Sequence, residues 1–448
     1  MLSGARLAPR ALNPRLLAKT STTTSRNPCF FSSTGSGPEE EEEEGEKGLS
    51  KKNSLRFVSH LKNPIVHQLW TARGKAKAQA NKSDNIDLKT PRVPSQSMTQ
   101  ISYPFSSDEF LKETYKNPWG QMRFGKILED LDALAGNIAF AHVQDPSIKI
   151  VTASVDRIRL TSLPRSDTDQ HLSGKVTYVG TSSMEIRMQC TCGGSNEWME
   201  AYFTFVAIDP STNRPLKIPP LQPETDLEQN HFEEGKKRAS LKKEARKKLG
   251  SKVVDSDIER VASELIKEAG PLLNMPSLAN PHSILMGQTV LQNAAIAQPQ
   301  ARNLANQIFG GFLMRRACEL AYSTAYVFGG ARPIFLEVDQ VSFSIPVNVG
   351  DLTNFNAKVV YTNVKDELQD FDHFKGQSQI ATISVEVEAW IIDPEQATAK
   401  LSNQFYFTFA FPAGTQIRKI LPSNMEEARK MATRMAADKQ QDEEYTLQ

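Results

Sequence analysis

Two short polar turns carry the residues best suited to chemistry. One reads Asn303-Leu304-Ala305-Asn306-Gln307-Ile308-Phe309-Gly310-Gly311, and the other Asn117-Pro118-Trp119-Gly120-Gln121-Met122-Arg123-Phe124-Gly125. Each runs directly into a long helical pattern, and Asn117 and Asn303 fall at equivalent places. Glycines at a helix start let the backbone come close to a ligand. The free N–H groups of the first turn, backed by the helix dipole, suit a carbonyl oxygen gaining negative charge. An oxyanion of that kind develops when a thioester is hydrolysed. Asn303 also suits a simple turn or cap, and Asn306 competes for that role because it stands where Gly120 does in the other turn.

The elements that must position these turns occur twice. Ile127, Leu128, Leu131, Leu134, Ala135, Ile138 and Ala139 follow the spacing of a helix buried along one stripe. Leu313, Met314, Ala317, Leu320, Ala321, Thr324 and Ala325 repeat that pattern at a constant offset, with Gly125 falling on Gly311. Strand-like runs follow in both copies. Val155-Asp156-Arg157-Ile158-Arg159-Leu160 matches Val338-Asp339-Gln340-Val341-Ser342-Phe343, and the apolar positions change parity around Asp156 and Asp339 in both. A side-chain period of two cannot do that unless the strand bulges there. Lys175-Val176-Thr177-Tyr178 matches Lys358-Val359-Val360-Tyr361, and Tyr202-Phe203-Thr204-Phe205 matches Tyr406-Phe407-Thr408-Phe409. The bulky aromatic pair suits the middle of an antiparallel sheet. A duplicated α+β unit is expected, each copy a long helix wrapped by a curved antiparallel sheet.

At Asn303, Phe309-Gly310-Gly311 and the run Ile308 to Ala317 the chain resembles the hot-dog acyl-CoA thioesterases, specifically the mitochondrial acyl-coenzyme A thioesterase 9-like group. The resemblance covers roughly residues 98–222 and 281–412. It implies a tandem (double) hot-dog fold with a site between the two units, hydrolysing acyl-CoA to free acid and CoA without a metal or other cofactor. In such a site an Asn near one helix entrance orients the carbonyl, and a carboxylate on the other unit's helix activates water or attacks directly. Carried over position by position, this gives Asn303 and Asp132 as the catalytic pair, and Gly125, Gly310 and Gly311 as substrate-binding. The second pair, Asn117 with Glu319, departs from the pattern: Cys318 takes the place equivalent to Asp132, and Phe124 replaces Gly310. Asp132 could instead be a salt-bridged helix residue, Glu319 a structural partner, and Arg315 and Arg316 reach CoA phosphates or face solvent. The resemblance also implies a homo-oligomer of two-unit chains. The alternative is a double hot-dog that binds acyl-CoA or acts as a mitochondrial scaffold without turnover.

The remaining sequence fits around that core. With 448 residues, several domains are expected: a leader (1–38), a polar arm (39–97), a first repeat (98–222), a basic, partly helical connector (223–280), a second repeat (281–412) and a tail helix (413–448). The leader interleaves Arg6, Arg10, Arg15, Lys19 and Arg26 with leucines, is rich in Ser and Thr, and holds no acid before Glu39. That is the composition of a mitochondrial transit peptide, and a matrix location follows. The acidic run 39–44 repels itself and is expected to be disordered. Net charge is +1, so no global field favours nucleic acid. No uninterrupted apolar run reaches the ~18 residues of a membrane span. Four cysteines in a chain of this length form no disulfide framework. Cys190 and Cys192 lack a second ligand pair nearby, so no metal site is expected. Neither a phosphate loop, a nucleophile elbow nor a zinc-helix pair is present.

Overall fold

The computed structural model describes residues 63–80, 88–194, 196–250, 256–303, 307–366, 368 and 371–446. The expected leader, the acidic run 39–44, Cys29 and Asn306 lie outside the described residues. In chain order the elements are α1 (Pro64–Ala80), β1 (Thr99–Tyr103), α2 (Glu109–Tyr115), α3 (Phe124–Val143), β2 (Lys149–Leu160), β3 (Gln170–Val179), β4 (Ser183–Cys192) and β5 (Asn196–Ile208). Then come α4 (Asp226–Gly250), α5 (Ser256–Asn274), β6 (Ser283–Leu285), β7 (Leu291–Ile296), α6 (Gly310–Gly329), β8 (Ile334–Phe343), β9 (Leu352–Lys365), β10 (Ile380–Asp393), β11 (Thr398–Ala410), β12 (Lys419–Leu421) and α7 (Met425–Thr446).

The main sheet has ten strands in the order β1-β3-β4-β5-β2-β8-β11-β10-β9-β7. Read outward from the central antiparallel β2–β8 pair, the two halves have the same order. The register repeats as well. The Ser97 hydroxyl accepts from the Val176 amide and the Thr289 hydroxyl from the Val359 amide, each at 3.0 Å. Both expected bulges occur at the acids. β2 skips Asp156 between Val155 and Arg157 where it pairs with β5, and β8 skips Asp339 between Val338 and Gln340 opposite β11. The freed carboxylates accept from Thr204 and Thr408, at 2.9 and 3.0 Å.

The two long helices lie antiparallel against one face of this sheet. Gly125 of α3 abuts Arg315 and Glu319 of α6, while Asp132 meets Gly311. The stripe residues Ile127, Leu128, Leu131, Leu134, Ala135, Ile138 and Ala139 are all buried. A β-carbon on Gly174 would stand 2.9 Å from Ile138 of α3. The adjacent Lys175 instead bonds Glu228 of α4 at 2.7 Å. Neighbouring strand residues point to opposite faces, so α4 covers the far face.

Three segments are more integrated than their polarity suggests. The arm contains α1, which buries Ile65, Val66, Leu69 and Trp70. It is anchored at its start by Asn63, whose Nδ2 donates to buried Asp130 at 2.6 Å. The same carboxylate accepts from Tyr103 (2.9 Å) and Tyr115 (2.5 Å). The basic connector is not a solvated strut: Phe232 packs on Tyr178, and Arg238 donates to Glu185 at 2.8 and 3.0 Å. The tail helix buries Ala428, Met431 and Ala432 and pairs with sheet carboxylates. In each case an amphipathic stripe of few apolar residues finds a sheet or helix face to cover.

Both long helices end on a left-handed residue, Gly330 at φ 63° and Gln144 at φ 57°. Glycine adopts that conformation without steric cost, whereas glutamine does not. Gln144→Gly is therefore expected to raise stability by about 0.5–1 kcal/mol. The readout is a higher urea midpoint at unchanged slope; a lower midpoint would mean that the Gln144 side chain contributes more than the backbone strain costs.

Candidate active site

Asp132 is 4% exposed on α3, yet neither carboxylate oxygen lacks a donor. Oδ2 accepts from the Gly311 amide at 2.7 Å and Oδ1 from the Thr152 hydroxyl of β2 at 2.8 Å. The carboxylate of one repeat thus caps the first turn of the other repeat's helix, where the dipole favours negative charge. Gly310 permits this approach, since a β-carbon there would lie 3.0 Å from Asp132 Oδ2 and 3.1 Å from Phe343. Burial pushes the Asp132 carboxyl up to about 6, against the pull of the Thr152 and Gly311 hydrogen bonds and the charge of Arg73. A carboxyl in that range is a usable general base near neutral pH.

A cavity of about 660 Å³ opens on this carboxylate, within the usual size of a small-molecule site. Asn303 lines it from the turn before α6, together with Thr152, Gln307, Phe309, Gly310 and Asn403. The Asn303 Oδ1 accepts from the Gln307 amide at 3.1 Å, and the Asn303 amide donates to the Gln307 carbonyl at 2.6 Å. That turn fixes Asn303 at the cavity wall, so its turn role and its cavity role coexist. Gly311 departs from the expected role, because its amide is engaged with Asp132 and not presented to the cavity.

The second expected pair, Asn117 and Glu319, lines a smaller cavity in which the surroundings differ. Asn117 repeats the turn geometry of Asn303, its Oδ1 accepting from the amides of Gln121 (2.9 Å) and Trp119 (3.0 Å). The place equivalent to Asp132 is held by buried Cys318, whose thiol is pushed up by desolvation and the neighbouring Glu319 charge. Glu319 itself is tied to Arg123. Phe124 stands where Gly310 does and stacks on Phe335 at 4.2 Å between ring centres. Gly125 faces α6 and is closed by Arg315 and Glu319. Only about 190 Å³ remains there, largely apolar. Arg315 pairs with Glu129 at 3.0 Å, an inter-repeat ion pair that occupies the guanidinium.

Sequence reasoning missed Thr152 and three cavity residues outside the repeats' motifs. Arg73 and Lys77 of α1 line the same cavity, and Gly136 of α3 makes room for the first. A signal existed: Val66, Leu69, Trp70, Arg73 and Lys77 follow one helical stripe.

Fold and cavity together bring a carboxylate from one half and an Asn turn from the other to the wall of one cavity. No family model matches the chain. The chain is 39% identical over 398 residues to mitochondrial acyl-coenzyme A thioesterase 4 of Humulus lupulus, covering 84% of this chain and 73% of that protein. It is 38% identical over 400 residues to the chloroplastic acyl-coenzyme A thioesterase 2 of the same plant, covering 84% and 89%. The mitochondrial acyl-coenzyme A thioesterase 9 of Homo sapiens is 34% identical over 336 residues, covering 71% and 72%. The chain belongs to the acyl-CoA thioesterase family.

Proposed function

We propose that this chain is a tandem hot-dog enzyme that hydrolyses acyl-CoA to a free acid and CoA, with Asp132 as general base and Asn303 orienting the thioester carbonyl. The observation that carries this reading is the convergence of a buried, raised-pKa carboxylate and an Asn from opposite repeats on one cavity. Asp132 takes a proton from water as the oxygen attacks the carbonyl carbon. The carbonyl oxygen becomes an oxyanion, stabilised by the Asn303 side chain and the positive end of α6. Collapse breaks the C–S bond, and CoA leaves as a thiolate that takes a proton from Asp132 or solvent. The amide of Gly311 and hydroxyl of Thr152 hold the base in place throughout. The leader composition and two relatives named mitochondrial favour a mitochondrial address, with the matrix as the finer proposal. Further assembly into homo-oligomers rests on the sequence resemblance.

The test is thiol release by the purified full chain from short, medium and long acyl-CoAs, with Asn303→Ala alongside. Turnover on at least one chain length is expected, and Asn303→Ala should lower kcat by about 10²-fold, the usual weight of one oxyanion donor. Acyl-CoA binding with no thiol release from any substrate would favour a non-catalytic binding protein and overturn the proposal.

A further inference from the structure

We propose that Arg73 is a positioning residue for the reaction: α1, which belongs to neither repeat, delivers its guanidinium beside Asp132 as the counter-charge that keeps the base ionised, in space vacated by Gly136. This rests on the reading of Asp132 as base and adds what holds it ready. The geometry is specific. Arg73 Nη1 lies 2.8 Å from where a β-carbon on Gly136 would stand. Gly136 follows Asp132 by one helical turn, so both lie on the same face of α3. Arg73 and Asp132 line the same cavity. Arg73 Nε is buried without a hydrogen-bond partner among the described residues, so the side chain is held there at some cost. The guanidinium sits over Phe140, whose ring centre is 5.9 Å from the guanidinium carbon.

The blocked half of the molecule supplies a control. Tyr322 of α6 occupies the place equivalent to Gly136, and its ring stacks on Trp119 at 5.9 Å. Thus the half with a buried Cys318 instead of the acid also carries a bulky Tyr322 instead of the glycine. Asp132 and Gly136 occur together at one site and are replaced by Cys318 and Tyr322 at the other.

The charges around Asp132 are few. From α1 come Arg73 and Lys77; β2 contributes Lys149, whose Nζ is directed to Gln307 at 3.4 Å. On α3 itself, Glu129 is paired to Arg315 of α6, and Asp130 turns away to Asn63, Tyr103 and Tyr115. Glu129 opposes ionisation of Asp132 and Arg73 favours it; burial pulls Arg73 itself down to about 10, while Asp132 supports it.

The experiment is the pH profile of kcat/KM for the full chain and its Arg73→Gln, Arg73→Lys and Gly136→Ala variants. Arg73→Gln should move the acid limb upward by about one pH unit, so that activity falls about fivefold further at pH 6 than at pH 8.5. Arg73→Lys should restore most of the limb. Gly136→Ala must displace the end of a flexible side chain and no backbone, so it should move the limb the same way without lowering the thermal midpoint. A uniform loss at every pH, or a limb that stays in place in both Arg73→Gln and Gly136→Ala, would overturn the proposal. If Asp132→Asn kept turnover, the base assignment would fail first, and the two failures are distinct.

Discussion

Asp132→Asn is expected to cut kcat by about 10³–10⁴-fold while leaving acyl-CoA affinity near that of the parent. Asn fits the same place. Its Oδ1 can accept from the Gly311 amide, and its Nδ2 can donate to the Thr152 hydroxyl, which rotates to accept, so only basicity is lost. The parent should show kcat/KM rising tenfold per pH unit below about pH 6 and flat above it, since Asp132 titrates at about 6. The same substitution should stabilise the fold at neutral pH. The folded-state value lies above the ordinary 3.8, so the folded chain holds the proton more tightly than the unfolded one. Stability from this group is therefore full below about pH 4 and is lost as pH rises through 6. Removing it should return roughly 1–3 kcal/mol at pH 7.5. A variant with lost activity and a higher thermal midpoint fits a buried functional carboxylate; retained turnover would remove Asp132 from the mechanism.

The repeat was legible because its signals are local. Helical stripes in α3 and α6 and the parity change at Asp156 and Asp339 each need only neighbours along the chain. The bulges at both acids follow from the side-chain period alone. What stayed hidden depends on residues far apart in sequence. Nothing near Gly311 reveals that its amide is claimed by Asp132, because the antiparallel packing of α3 on α6 sets that contact. Arg73 was obscured by the polar composition of its segment, and only the tertiary position of α1 gives it meaning. The difference between the two cavities was half legible: Cys318 and Phe124 break the motif, whereas the Arg123–Glu319 pair and the Trp119–Tyr322 stack appear only in three dimensions. The docking of the connector and tail was not legible because their faces toward the sheet carry charges that become paired only in the fold, at Arg238, Lys242, Lys430 and Arg434.

Those outer-face charges predict a large loss of stability. Arg434→Met is expected to cost about 3–5 kcal/mol, the penalty of leaving a buried charge without its partner. Arg434 Nη2 lies 2.7 Å from Asp339 Oδ1, with side chains 8% and 2% exposed. Glu337, two residues earlier on the same strand, is buried on the same face and held by Arg157 at 3.2 Å. Burial and the Asp339 charge push Glu337 well above its ordinary value, so the cluster resists a second negative charge. Loss of Arg434 removes a favourable charge from Glu337 and raises that carboxyl further above its unfolded value. The added penalty is therefore full at high pH and fades as pH falls towards the unfolded values near 4. Urea midpoints of parent and variant should be furthest apart at pH 8 and draw together at pH 5. Asp339→Asn in the Arg434→Met background should recover most of the loss, since it removes the stranded charge and keeps an acceptor for Thr408. No recovery would assign the effect to the packing of the arginine stem instead. The equivalent pair in the other repeat, Lys242 with Asp156, sits at 33% and 10% exposure. Lys242→Met should accordingly cost under about 1 kcal/mol, because water can replace the lysine at a partly exposed carboxylate and cannot reach Asp339.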